Sequence, residues 1–319
     1  MRALVTGAAG FIGSTLARRL LDDGHTVRGI DRLSDYYDVR LKRENLALLD
    51  DARFDFREED IRGADLDELL RDVDVIFHQA GQPGVRASWG SSFTEYSRDN
   101  VDATQALLEA AKRASSIQRF VYASSSSVYG DAERYPTVET DLPCPVSPYG
   151  VTKLAGEHLT RLYARNFGLP TVALRYFTVY GPRQRPDMAF ARFVRAAIDD
   201  ETITVYGTGA QIRDFTFVTD VVEANVLAAT VDSEAGSVFN VSGGSSVSVT
   251  DVLETLGRIR GSSLRIVHEA EAVGDVRQTG GSTDAISSAL GWMPQVSLDV
   301  GLRRQYEWAA GRTATTPAA

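Results

Sequence analysis

Short, continuously apolar runs alternate with longer amphipathic stretches through the first half of the chain. Ala3–Thr6, Thr26–Ile30, Arg53–Phe56, Val73–His78, Arg119–Ala123 and Thr171–Tyr176 read as strands. Between them, Ile12–Asp22, Asp65–Arg71, Asp99–Lys112 and Pro148–Phe167 place apolar residues at helical spacing. Strands without polar alternation belong in a parallel sheet buried on both faces, and helices between them supply the crossovers. Such crossovers are right-handed, so the pattern predicts an α/β fold with a doubly wound parallel sheet of the Rossmann type over residues 1–175.

After Tyr176 the segments shorten and become richer in Gly, Ser and Thr, as in Tyr206–Ala210 and Ser242–Ser248. Helical patterns continue at Phe190–Asp199, Asp220–Thr230, Thr250–Ile259 and Leu298–Ala309. This predicts a smaller C-terminal α+β lobe over residues 176–311, with segments near 214–241 returning to the large sheet. Residues 312–319, in the run GRTATTPAA, lack apolar periodicity and are expected to form a mobile tail.

The first predicted strand leads into Gly7-Ala8-Ala9-Gly10-Phe11-Ile12-Gly13, a GxxGxxG spacing that opens a helix. Gly7 permits the tight turn, Gly10 lets backbone approach a pyrophosphate, and Gly13 lets helix and strand pack closely. The free N–H groups at the helix start then face the anion. Strand, turn and helix occur in the required order, which separates this reading from a plain βα turn. Asp31 closes the second strand where a carboxylate would meet the adenosine ribose hydroxyls and repel a 2′-phosphate. Arg32 beside it could instead receive such a phosphate. Asp60-Ile61, after the third strand, either borders the adenine or caps a turn.

Ser147 and Pro148 suit the N-cap and first position of a helix. Tyr149 and Lys153 are then i and i+4 on one face. A phenol titrates near ~10 in water. An ammonium close by, with a nicotinamide cation, would draw that value toward neutrality and give a general base for a substrate hydroxyl.

Composition narrows the classes. The chain of 319 residues has 34 Lys plus Arg against 43 Asp plus Glu, a net charge of −9. That balance disfavours nucleic acid and anionic membranes as partners. One cysteine, Cys144, excludes an internal disulfide framework and fits a cytoplasmic location. Four scattered histidines offer no metal-ligand spacing, and no apolar run approaches a membrane span.

Six segments carry a family resemblance: TGAAGFIG, SSSSVYG at Ser124–Gly130, YGVTK, RYFTVYGP at Arg175–Pro182, RDFTFVTD at Arg213–Asp220 and GDVRQT at Gly274–Thr279. Together they resemble the extended short-chain dehydrogenase/reductases, whose members are nucleotide-sugar epimerases, dehydratases and decarboxylases with tightly held NAD. The segments DYYDVRLKR at 35–43, QPGVR at 82–86 and RQRPDMAF at 183–190 are most similar to the UDP-glucuronate 4-epimerase branch. The resemblance implies NAD as cofactor, a UDP-sugar substrate, and conversion of UDP-glucuronate to UDP-galacturonate through a 4-keto sugar. It leaves a UDP-glucose or dual-specificity epimerase as the alternative, and a silent NAD-sensing regulator as a remote one.

By the same resemblance, Ala9, Phe11, Ile12, Lys42, Gln79, Ala80, Gly81, Asn100 and Tyr176 join the glycines, Asp31, Arg32, Asp60, Ile61, Tyr149 and Lys153 around NAD. Ser125 would hydrogen-bond the reacting 4-hydroxyl. Ser126 and Ser127 stand where dehydratases and decarboxylases carry acids, and Thr178 stands where many relatives carry Asn. Gly84, Val85 and Arg86 border the sugar. Arg185 and Arg192 are candidates for the substrate carboxylate or simply surface charges. Arg213 and Arg277 would reach the diphosphate or else bridge the lobes, with Val205, Tyr206 and Gln211 bordering uridine. Relatives pair through two helices, here Asp99–Lys112 and Pro148–Phe167. A homodimer burying Leu107, Leu108, Leu154 and Leu162 is therefore expected.

Overall fold

The computed structural model describes residues 1–270 and 276–315. Its first half runs β1 (Arg2–Thr6), α1 (Phe11–Asp22), β2 (Thr26–Ile30), α2 (Val39–Ala47), β3 (Phe54–Arg57), α3 (Leu66–Leu69), β4 (Val75–His78), α4 (Phe93–Ser97), α5 (Ala103–Arg113), β5 (Arg119–Ser125), α6 (Pro148–Phe167) and β6 (Thr171–Tyr176). The second half runs β7 (Val179–Tyr180), α7 (Ala189–Ile198), β8 (Ile203–Tyr206), β9 (Ile212–Asp214), β10 (Thr216–Phe217), α8 (Val218–Thr230), β11 (Ser237–Val241), β12 (Ser246–Ser248), α9 (Val249–Arg260), β13 (Ile266–Glu269), α10 (Asp284–Leu290) and α11 (Leu298–Thr315).

Seven strands form one parallel sheet in the order β11-β6-β5-β4-β1-β2-β3. The strand order reverses between β1 and β4, and the crevice outside those strand ends is where ligands bind in such sheets. β5 and β6 are buried along their whole length because helices cover both faces. β11 arrives from the second half of the chain and pairs with β6 from Ser237 against Val172 to Val241 against Tyr176. Among the described residues the smaller lobe holds three two-stranded pairings, β10 with β7, β13 with β8, and β12 with β9. One apolar cluster runs from Val5 and Leu16 under the sheet to Phe193, Leu256 and Leu302 in the lobe, so the two parts share a core.

Helix α6 shows why local chemistry sets the boundaries. Ser147 accepts from the Gly150 backbone N–H at 3.1 Å, Pro148 occupies the first turn, and Gly168 closes the helix at φ 70°. The predicted helix Asp99–Lys112 is instead a wide π-turn, Arg98–Asp102, followed by α5. Side-chain anchoring explains the widening. Asp99 is drawn to Arg32, and Asn100 to Gln82 and Thr152. Leu107 and Leu108 point inward and are wholly buried, and Leu154 packs beside Val128, Tyr129 and Phe177. Of the expected pairing stripe only Leu162 is exposed, because α5 spends its apolar face on the sheet. Helix α11 continues through Thr315, past the point where the tail was expected to begin. Residues 316–319 lie outside the described residues. So do Gly274 and Asp275 of the GDVRQT segment.

His78, at the end of β4, bridges Thr6 at 2.8 Å and Thr104 at 2.9 Å and is fully buried. Burial, and after it the charge of Lys153, lowers its pKa to about 3. A free histidine titrates near ~6.5, so the unfolded chain takes up this proton first. The stabilisation from neutral His78 is therefore full above that value and is lost as pH falls toward 3. Urea midpoints measured from pH 7 to pH 4 should fall steeply for the parent and less steeply for His78→Asn. Parallel curves would remove His78 from the acid response.

Candidate active site

A cleft opens at the crevice between β1 and β4. Gly7, Gly10, Phe11, Ile12, Gly13, Asp31, Arg32, Lys42, Asp60, Ile61, Gln79, Ala80, Gly81, Tyr149, Lys153, Tyr176 and Arg185 all line it. Gly7 has φ +67°, and a Cβ there would press to 3.0 Å from Ala80. A Cβ at Gly13 would stand 2.1 Å from the Gly7 carbonyl, so α1 meets the turn only because position 13 is bare. Gly10 caps α1 without any side-chain hydrogen bond, which leaves the helix N-terminus turned toward the cleft for an anion. Asp31 closes the other wall. Its carboxylate accepts from Ala9 N at 3.2 Å and Leu33 N at 2.8 Å. Asn45 donates to the Ala9 carbonyl at 3.0 Å, so Ala9 braces the turn from behind rather than lining the cleft. This glycine cradle with a carboxylate at the far end fits a dinucleotide.

The nicotinamide end of such a cleft is built by α6 and the end of β5. Lys153 is buried and donates to the Ala123 carbonyl at 3.0 Å. Burial lowers its ammonium to about 8. Tyr149, one turn earlier, is pushed above the ordinary phenol value by burial, while Ser125 and Arg185 pull the other way. The ammonium did not prove to be the group that lowers the phenol in the chain alone. Ser125 Oγ also accepts from the Ser127 N–H at 3.1 Å. Tyr176 donates to Gln79 and Asn225, fixing the Gln79 side chain on the cleft wall. Asn100 stands behind the wall, clamping Gln82 and Thr152. It positions the Gly81 turn and is absent from the residues that line the cleft.

A second cavity adjoins Ser125. Val85, Arg86, Ser126, Ser127, Thr178 and Arg213 line it, with Val146, Ser147, Val276 and Thr279. No carboxylate stands among these lining residues. Arg86 stacks on the Tyr206 ring at 4.6 Å. Gln211 donates to the Tyr206 carbonyl, and its own buried Oε1 has no partner among the described residues, as an acceptor would if kept for a ligand N–H. Gly84 accepts from the Tyr96 hydroxyl at 2.8 Å. Arg213 donates to the Ile212 and Val276 carbonyls while lining the cavity.

Four expected residues lie outside the second cavity. Arg185 is on the first cleft, paired with Asp187 at 2.9 Å and set near the Tyr36 ring. Arg192 projects from the exposed side of α7, opposite Phe193 and Val194, and lines neither cavity. Val205 points into the core and lines a separate groove beneath α9. Arg277 is exposed, and its backbone N–H donates to Asp131 at 3.3 Å.

Other residues of the site were not anticipated. Tyr36 and Tyr37 line the cleft. Under the β5 end, Glu157 holds Arg175 through bonds of 2.9 and 2.6 Å, and accepts from Ser124 at 2.8 Å. Arg175 also donates to Tyr129 at 2.7 Å. The signal was available, since Tyr149, Lys153 and Glu157 repeat every four residues on one helical face and a buried-strand arginine requires a partner.

The pattern of the NAD dependent epimerase/dehydratase family matches residues 3–242. The chain is 44% identical over 307 residues to the uncharacterized UDP-glucose epimerase YtcB of Bacillus subtilis, covering 96% of both. The crystal structure of UDP-glucuronic acid 4-epimerase from Bacillus cereus, in complex with UDP-glucuronic acid and NAD, matches with TM-score 0.94 and 43% identity. The match covers 98% of this chain and 100% of that one. MoeE5 in complex with UDP-glucose and NAD matches with TM-score 0.89 and 41% identity over 99% and 100% of the two chains. A matched pattern over most of the sheet, and relatives alike from end to end, place this chain in the NAD dependent epimerase/dehydratase family.

Proposed function

We propose that the chain inverts C4 of a UDP-sugar, interconverting UDP-glucuronate and UDP-galacturonate. The observation that carries this reading is the convergence of Tyr149 and Lys153 on one cleft end, with Ser125 hydrogen-bonded to the phenol, beside a cavity whose described lining offers hydroxyls and arginines and no acid. The end-to-end likeness to the Bacillus cereus enzyme supports it.

NAD, when bound, supplies a hydride acceptor and donor at the nicotinamide end of the cleft. Tyr149 takes the proton of the 4-hydroxyl. Ser125 shares that hydrogen bond and orients the phenol. Lys153 holds positive charge beneath it, so the phenolate is favoured once the pyridinium charge adds to the ammonium. Oxidation at C4 turns a glucuronate into a β-keto acid, which loses CO2 when its carboxylate bond aligns with the carbonyl π system. Ser126, Ser127 and Thr178 can hold the carboxylate out of that alignment by hydrogen bonds, with Arg86 supplying charge on the same wall. Among the described residues that line the second cavity, none brings a carboxylic acid to expel a 6-hydroxyl. After rotation of the keto sugar, Tyr149 returns its proton to the new 4-oxygen.

MoeE5 has been seen with UDP-glucuronic acid and with UDP-glucose, which favours dual specificity as the second reading. A regulator without catalysis would have no use for a buried lysine beneath a phenol. A second copy is the proposed partner for the exposed face of α6, where Val151, Leu162 and Phe167 lie open. The lone cysteine suits the cytoplasm, where we place the enzyme.

Four measurements bear on this. Tyr149→Phe should lower kcat about 10³-fold, the scale of a lost general base, while NADH binding persists. An unchanged kcat would remove the phenol from the chemistry. Ser127→Glu, with UDP-glucuronate, should raise the UDP-pentose from decarboxylation or abolish turnover, whereas undisturbed epimerisation would count against pinning. Parallel incubation with UDP-glucose shows whether both sugars turn over. Light scattering should report a two-chain mass, with Leu162→Glu shifting it toward one chain. A monomeric parent would discard the α6 interface.

A further inference from the structure

Arg32 follows Asp31 and faces the same end of the cleft. An arginine at this place can receive the 2′-phosphate that distinguishes NADP from NAD. Here the guanidinium is already engaged. Its two terminal nitrogens fork onto Asp99 at 3.0 and 2.5 Å, and one of them also meets Asp60 at 3.3 Å. The Asp99 side chain is only 9% exposed, and the π-turn that carries it is anchored by Asn100. Asp60 is fixed in turn by Arg62 at 2.6 Å. A bidentate guanidinium–carboxylate pair held in a sheltered position is strong and directional, so reorienting it toward a ligand costs much of the ligand's gain.

We propose that Asp99 is a specificity-determining residue: by occupying Arg32 it withholds from a 2′-phosphate the one cation adjoining Asp31 in sequence. The proposal rests on the cleft being the NAD site. Asp31 and Asp99 then reject NADP in different ways. Asp31 repels the added phosphate, and Asp99 denies it a counter-charge. Removing one barrier leaves the other standing, so the two must act non-additively.

Dissociation constants for NADH and NADPH, from nicotinamide fluorescence titrations of the full chain, test this. Asp31→Ser and Asp99→Asn should each improve the NADPH-to-NADH preference modestly. The double variant should exceed the product of the two by about tenfold or more, the scale of one recovered charged contact. Adding Arg32→Ala to the double variant should abolish that excess. A double variant equal to the product, or an excess that survives loss of Arg32, overturns the proposal. Failure of the parent to bind NADH would instead sink the reading of the cleft. If Asp99→Asn proves unstable, Asp60→Asn combined with Asp31→Ser supplies the same comparison, with a smaller excess expected from its longer contact.

Discussion

A buried ammonium is the constraint around which this molecule is organised. Lys153 loses most of its hydration between β5 and the Gly81 turn, and one backbone carbonyl, that of Ala123, receives it directly. Such a group prefers to shed its proton, hence its lowered titration. The fold accepts that cost where it does chemical work. The same helix face carries Tyr149 above and Glu157 below, and Glu157 ties α6 to β6 through Arg175. Removing one member of such a buried pair costs roughly 3–5 kcal/mol, so the pair resists any sliding of α6 that would move the phenol. Phenol, ammonium and ion pair thus form one column, held in register by helical periodicity.

The serine run at the end of β5 depends on that column. Ser124 is fixed by Glu157, and Ser125 by the Ser127 N–H, so the hydroxyls diverge into two environments. One faces the phenol. The next two open on the second cavity. A strand that alternates its side chains and then breaks into a short 3₁₀ turn can serve both sites with consecutive residues.

Much of this was legible in the sequence because each signal was local. The GxxGxxG turn, the Ser-Pro helix start and the i, i+4 tyrosine and lysine all act over fewer than ten residues, and the structure brings the glycine turn, Tyr149 and Lys153 to one cleft. What escaped was set by distant partners. The widening at Arg98–Asp102 follows from Arg32, Gln82 and Thr152, none of them neighbours in sequence. Leu107 and Leu108 have the spacing of an interface stripe, and only the sheet beneath them decides that they are core. Arg192 had the right charge near the right motif, but the apolar face of α7 turns it outward. Tyr36 and Tyr37 enter the cleft through a loop, where periodicity carries no direction.

The phenol shows why cofactor and protein must be considered together. In the chain alone, burial outweighs the help of Ser125 and Arg185, and Tyr149 holds its proton more tightly than free tyrosine. A pyridinium bound in the cleft would add a positive charge in the poorly hydrated surroundings of Tyr149, where Coulomb attraction is little screened. Tyr149 would then be the stronger base with the oxidised cofactor bound and the weaker one with the reduced cofactor bound. Proton and hydride would thus move in a coupled sense: the charge state that invites oxidation of the alcohol also accepts its proton, and the neutral ring favours the proton's return to the sugar. Reversibility without a net redox change, as an epimerase needs, follows from that single electrostatic coupling.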